Sequence, residues 1–281
     1  MVRLYWGEMP IQRLIIMKIN RSSIAVLAAI LVVSGAASAA TVSVTYNANR
    51  TLDPSAATGA ESVVANWNNL SVVASPNFTS GALMDNSGDA TSMTVTSAGW
   101  GGYVSMSNDG SDFIKLYEAG LMIQGDVTAG NASLVITGIT FQVYDVYIYY
   151  THFPIGSDTL QTWTAQAGLL PSQTLYGTNN KGHGHDWGDF QQYQTSDRAT
   201  AVTQATTTGA DGGGNWLKFT GVSGSTLTLT STDTNFPDIE GFKQRGIAGF
   251  QIVESTIIPE PSTVLAFGLG AGIFALRRRR A

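Results

Sequence analysis

The 281-residue chain contains no cysteine. Disulfides, thiolate metal sites and cysteine nucleophiles are excluded together, so an extracellular fold would have to be held by its core alone. Charge is also scarce, with only 12% of residues Asp, Glu, Lys or Arg and three histidines in all. Eight of the 15 Lys and Arg lie at the two ends: Arg3, Arg13, Lys18 and Arg21 at one, Arg277, Arg278, Arg279 and Arg280 at the other. Seven remain between Ala40 and Ile258 against 18 Asp and Glu, a net charge near −11. Such a body offers no basic face to nucleic-acid phosphates, so no nucleic-acid partner is expected. Several motifs are missing as well. There is no G-x-S-x-G for a nucleophile elbow, and the glycine run in ADGGGNW (Ala210 to Trp216) is not followed by the GK[ST] of a phosphate loop. No LPxTG-like sortase tag occurs.

What the body does have is Thr, Ser, Gly and Asn, a composition that favours strands and turns. Short alternating runs recur: Val42, Val44 and Tyr46; Met93 and Val95; Leu134 and Ile136; Val146, Ile148 and Tyr150; Leu227 and Leu229; Phe250 and Ile252. Each has the period of two expected of a half-buried strand, and each is bounded by Gly, Asn, Asp or Pro. TLTLT (Thr226 to Thr230) is the clearest, with two leucines on one face and three threonines on the other. No internal repeat and no long helical period appears. The expected fold is all-β, a single β-sandwich of jelly-roll type over residues 40–257, flanked by an N-terminal signal peptide and a C-terminal transmembrane helix. About 220 residues suffice to bury such a core.

The two ends have the composition of targeting segments. Met17-Lys18-Ile19-Asn20-Arg21 supplies a positive region, Ile24 to Val33 an apolar one, and Ala37-Ser38-Ala39 the small-x-small pattern that signal peptidase reads. Residues 1–39 are therefore expected to be a signal peptide whose true start is Met17, with cleavage between Ala39 and Ala40. At the other end the apolar stretch from Thr263 to Leu276 is followed at once by the four arginines, which places them in the cytoplasm and the body outside. As a helix that stretch rises only about 21 Å, short of a hydrocarbon core of about 30 Å. A marginal span suits a segment that is held briefly and then removed.

The order Pro259-Glu260-Pro261, apolar segment, Arg277 to Arg280, chain end resembles the PEP-CTERM sorting signal of Gram-negative bacteria. That resemblance covers residues 258–281 and implies export, retention in the inner membrane, processing by an exosortase near the Pro-Glu-Pro, and release to the cell surface or an exopolysaccharide matrix. The prolines fix extended backbone and stop strand pairing, which would leave the motif accessible. Three further stretches, ANWNNL (Ala65 to Leu70), LVITGITFQVYDVYIYY (Leu134 to Tyr150) and NWLKFTGVSGSTLTLT (Asn215 to Thr230) with GIAGFQIVE (Gly246 to Glu254), resemble the recurring body of PEP-CTERM proteins from Planctomycetes and Verrucomicrobia. That body in turn is similar to galactose-binding-like sandwiches, which implies a fold and no particular ligand.

Within the body the densest cluster of polar chemistry is KGHGHDWGDF (Lys181 to Phe190). His183 and His185 would share a face on a strand and reach a metal together. The glycines argue for a loop instead, and no third ligand stands at a recognised spacing, so no metal or cofactor is assigned. The segment is then either a plain polar loop or one that contacts sugar. A sugar site would use His183, His185, Asp186 and Trp187 together with Trp163, whose neighbours are also polar. Asp145, Asp158, Asp186, Asp189, Asp238 and Glu240 are the candidates for a hydrolytic carboxylate pair, and nothing singles out two of them. DNSGD (Asp85 to Asp89) and NDGSD (Asn108 to Asp112) read as turns before they read as calcium loops. The expected protein is non-catalytic, sorted by an exosortase after signal peptidase, with extracellular polysaccharide as its possible partner. A secreted polysaccharide-active enzyme and a purely structural matrix protein are the alternatives.

Overall fold

The computed structural model describes residues 39–47, 51–53, 66–105, 116, 119–123, 132–153, 159–179, 194–197, 199–200, 214–232 and 244–255. The chain divides into two compact units, residues 1–38 and 39–281, and every described residue lies in the second. Its described residues form twelve strands: β1 (Thr41–Asn47), β2 (Trp67–Ser71), β3 (Thr94–Ala98), β4 (Gly102–Ser105), β5 (Ala119–Ile123), β6 (Ala132–Thr137), β7 (Tyr144–Phe153), β8 (Thr159–Ala167), β9 (Gln173–Asn179), β10 (Trp216–Val222), β11 (Thr226–Thr232) and β12 (Gln244–Glu254). Among the described residues no helix is long and apolar enough to cross a membrane. The expected signal peptide up to Ser38 and the expected transmembrane helix lie outside them.

The strands make two sheets. Seven belong to one, which runs β10-β7-β12-β1-β2 with β5 and β4 joined to it through β12. The other five run β3-β6-β11-β8-β9. All pairings between named strands are antiparallel except β1 with β2, which is parallel. The long strand β12 changes partner along its length: Arg245 to Ile247 lie against β5, and Gly249 to Val253 against β1. A bulge between Ile247 and Gly249 marks the switch. Three backbones crowd there, and two glycines permit it. A Cβ on Gly249 would stand 2.3 Å from the Val44 carbonyl oxygen, and one on Gly120 would stand 2.5 Å from that of Ile247.

All six alternating runs turn their apolar members inward. Val42, Val44, Tyr46, Val146, Ile148, Tyr150, Phe250 and Ile252 of the larger sheet share one core with Met93, Val95, Leu134, Ile136, Leu227 and Leu229, most of them on the smaller. Two sheets meeting over a common apolar core make the fold all-β and sandwich-like. The Tyr46 ring meets Phe78 edge-on at 6.2 Å and Phe250 at 6.5 Å. Its hydroxyl has no hydrogen-bond partner, and burial raises its pKa well above the ordinary phenol value.

Trp163 corrects an expectation. It lies fully buried in this core, 6.4 Å from the Trp100 ring, and its indole N–H donates to Gln161 Oε1 at 3.2 Å. Its polar neighbours Thr162 and Thr164 point the other way, as alternate residues of a strand must. No face of the ring is available to a sugar.

A second buried cluster covers the outer side of the larger sheet. Trp67, Tyr147, Tyr149 and Trp216 gather there with Leu52, Leu116 and Ala248. Trp67 meets Tyr149 at 6.0 Å and Tyr147 meets Trp216 at 5.7 Å. Beneath them Tyr149 Oη donates to Gln251 Oε1, whose amide donates to Ser43 Oγ at 2.9 Å. Leu217 and Phe219 face the main core, so both faces of β10 are buried around Trp216.

Candidate functional site

His183, His185, Asp186 and Trp187 lie outside the described residues, as do Ala37, Pro259, Glu260, Pro261 and Arg277 to Arg280. Ala39 and Ala40 are described and lead directly into β1. The Glu254 N–H donates to the Ala40 carbonyl at 2.8 Å, so the first expected residue of the mature chain bonds to the last residue of β12. Thr41 pairs with Val253 just beyond. The two ends of the body therefore leave one sheet side by side.

Three described carboxylates have structural duties: Asp85 and Asp145, from the turn and catalytic candidates, and Asp197, which the sequence did not single out. Asp85 Oδ1 accepts the N–H groups of Ser87 at 2.8 Å and Asp89 at 3.0 Å, closing a turn in which Gly88 takes φ 86°. DNSGD is thus a turn that serves its own backbone. Asp145 accepts the Gly221 N–H at 3.0 Å and the Ser255 hydroxyl at 3.2 Å on one oxygen, and pairs with Lys218 Nζ at 3.0 Å through the other. Gly221 has φ 65° and lies in the bulge where β10 slips against β7, so Asp145 ties that bulge to the end of β12. Asp197, fully exposed, is held below the ordinary carboxylate range by the hydroxyl of Thr200 and the N–H of Ala199.

Lys218 is a firmly held cation. Its ammonium lies 4.9 Å from the centroid of the Tyr147 ring and bonds Asp145. Burial works to lower its pKa, but the hydrogen bond to Tyr147 and then the Asp145 carboxylate outweigh it, so the charge is held more firmly than in a free lysine. A cation fixed in this way steadies the sheet edge and is poorly placed to act as a base. Among the described residues no group of three His, Asp or Glu is arranged to hold a metal ion.

Side-chain amides do what no sequence motif announced. Asn68 pairs with both backbone groups of Met84, accepting its N–H and donating to its carbonyl, each at 2.8 Å. Asn69 treats Leu52 in the same way at 2.8 and 3.0 Å, and Asn77 does so with Trp100 at 3.1 and 3.2 Å. Asn66, at φ 67°, donates to the Asn86 carbonyl, and Asn86 pairs with Thr41 at the start of β1. The asparagines of ANWNNL thus imitate a neighbouring strand, satisfying edge backbone that would otherwise be left open. Asparagine is uncommon in strands, and three of them around one tryptophan was the available signal.

Comparison with known proteins gives little for the body and one firm result for the tail. No curated protein matches the chain. The crystal structure of the ANXUR2 extracellular domain from Arabidopsis thaliana is 12% identical with a TM-score of 0.31, covering 58% of this chain and 41% of that one. The ANX2 ectodomain from the same plant is 14% identical with a TM-score of 0.30, covering 58% and 42%. The chain thus spans less than half the length of either. Residues 258–280, by contrast, match the model of the PEP-CTERM protein-sorting motif. The protein carries a PEP-CTERM sorting motif at the end of a sandwich-like all-β body, the arrangement of an exosortase-processed exported protein.

Proposed function

We propose that the protein is exported by signal peptidase cleavage ahead of Ala40, held in the inner membrane by residues 263–276, and processed by an exosortase near Pro259-Glu260-Pro261. The mature body then works without catalysis at the cell surface or in the extracellular matrix, contacting exopolysaccharide. The sandwich is of jelly-roll type in the same proposal. The sorting motif at residues 258–280 carries it. The geometry of the ends supports it: cleavage before Ala40 leaves β1 whole, and β12, the last described strand, ends at Glu254, ahead of the motif. Asp145, the hydrolytic candidate among the described residues, is committed to Gly221, Ser255 and Lys218, which favours a binding role for that carboxylate.

His183, His185, Asp186 and Trp187 remain the proposed glycan contacts, now without Trp163. A few hydrogen bonds and one stacked ring leave an affinity on the order of 0.1 to 1 mM per site after ordering costs. Many copies on one matrix raise it by avidity. A glycan array probed with protein extracted from the cell surface, beside an activity screen on bacterial and algal polysaccharides, tests the proposal. Binding without turnover supports it, and release of sugar from any of them overturns the non-catalytic assignment.

A further inference from the structure

The five strands of the smaller sheet read TVTSA, ASLVIT, TLQTWTAQA, QTLYGTN and TLTLTST, and they contain no charged residue. Ordinary protein surfaces place charges on roughly a quarter to a third of their positions. The inward residues of these strands form the core. The outward ones are largely hydroxyls set in rows by the strand register. Thr94, Thr137 and Thr226 stand opposite one another across β3, β6 and β11. Four residues further along β11, Thr230, Thr164 and Thr174 form a parallel row across β11, β8 and β9, and Thr228 lies between the rows. Neighbouring hydroxyls bond each other: Thr94 with Thr137, and Thr164 with Thr174, both at 3.0 Å. Thr137 and Thr226 are exposed, and Thr94, Thr228 and Thr230 are half-exposed.

We propose that this hydroxyl-covered face is a docking surface for a neutral polysaccharide, an inference that rests on the glycan-contacting role above and gives it a different site. Strands about 4.8 Å apart and alternate residues about 6.8 Å apart place the threonines on a regular net. Their branched side chains are stiff at χ1, so the hydroxyls lose little freedom when a ligand arrives. Each hydroxyl donates and accepts, as a sugar hydroxyl does, and each methyl meets the C–H side of a sugar ring. The face has no ammonium or guanidinium for a uronate or sulfate, and a body near −11 repels polyanions. Acidic polysaccharides are therefore disfavoured on two counts. The right-handed twist of a five-stranded sheet prevents registry with a flat crystal such as ice, whereas a flexible chain follows the twist.

The test uses the mature protein extracted from the surface, with dextran and laminarin as neutral probes and alginate as the acidic one, in affinity electrophoresis. Wild type should be retarded by a neutral glucan and unaffected by alginate. Thr96 of β3 is half-exposed and stands in register with Thr228 through Val135 of β6. Thr228→Lys and Thr96→Lys should each lower retardation about tenfold, while Thr228→Ser, which keeps the hydroxyl, should retain most of it. All three should melt like wild type, because they alter outward positions, and Thr228→Ser keeps the comparison valid if a lysine variant folds poorly. Retardation that survives both lysine substitutions but is lost in Trp187→Ala overturns this site and leaves the glycan role standing. Absence of retardation by every glycan overturns both, and preference for alginate overturns the neutral-glycan assignment.

Discussion

Replacing Trp163 by alanine separates a core role from a surface role more sharply than any other single change. The side chain is fully buried between the sheets, and truncating a buried tryptophan costs about 3–5 kcal/mol in lost transfer energy and cavity. The indole N–H bond to Gln161 disappears with it, weakening the solvation of an amide that is itself fully buried and adding about 1 kcal/mol. Loss of the contact with the Trp100 ring adds about 0.5–1 kcal/mol. The sum, about 4.5–7 kcal/mol, is comparable to the whole stability of many domains. Trp163→Ala should therefore be unfolded or melt at least about 10 °C lower. Trp163→Phe keeps most of the volume, and its deficit should be about half as large. Urea unfolding followed by fluorescence and far-ultraviolet circular dichroism gives both values. A Trp163→Ala protein within about 1 kcal/mol of wild type would refute the packing described here.

Asn69→Asp replaces the amide that donates to the Leu52 carbonyl with a carboxylate that repels it, and a loss of about 1–3 kcal/mol is expected in the same urea assay. Gly249→Ala forces a methyl against the Val44 carbonyl at the point where β12 changes partners, so about 1–3 kcal/mol should be lost there too, with hydrogen exchange quickening in β1 and β12 first. Alkaline pH should also destabilise the fold. Burial raises Tyr144 from 10.0 to about 12 and holds Tyr46 well above the ordinary phenol value, so the folded state keeps both phenols neutral where the unfolded chain ionises them. Stability from Tyr144 is complete below about pH 10 and is lost as pH rises through about 12. Phenolate absorbance during a pH titration should show these two rings ionising late, together with unfolding, and early reversible ionisation of all tyrosines would contradict their burial.

The strands were legible because strand burial is a local pattern. Val42, Val44 and Tyr46, or Leu227 and Leu229, announce their face by alternation alone, and each such run indeed meets the core. Trp163 was not legible for the same reason. Its polar neighbours at 162 and 164 belong to the other face, and Gln161, which shares its face, is buried as the partner of the indole. Local polarity measures neighbours in sequence, whereas burial depends on neighbours in space. Trp216 shows the converse. Its outer face is closed by Leu52, Leu116 and Ala248, which lie far away in the chain. The amide clamps of Asn68 and Asn69 depend likewise on where Met84 and Leu52 arrive. The sorting signal was readable because a linear motif is recognised as sequence and needs no fold to place it.

In the proposed route the body is exported and both of its ends are removed. Intact-mass and terminal-peptide mass spectrometry of the protein released from the cell surface tests it most directly. The expected species begins within two residues of Ala40, ends near Pro259-Glu260-Pro261 and lacks Arg277 to Arg280. A surface protein that still carries Met17 or the arginine cluster would contradict it.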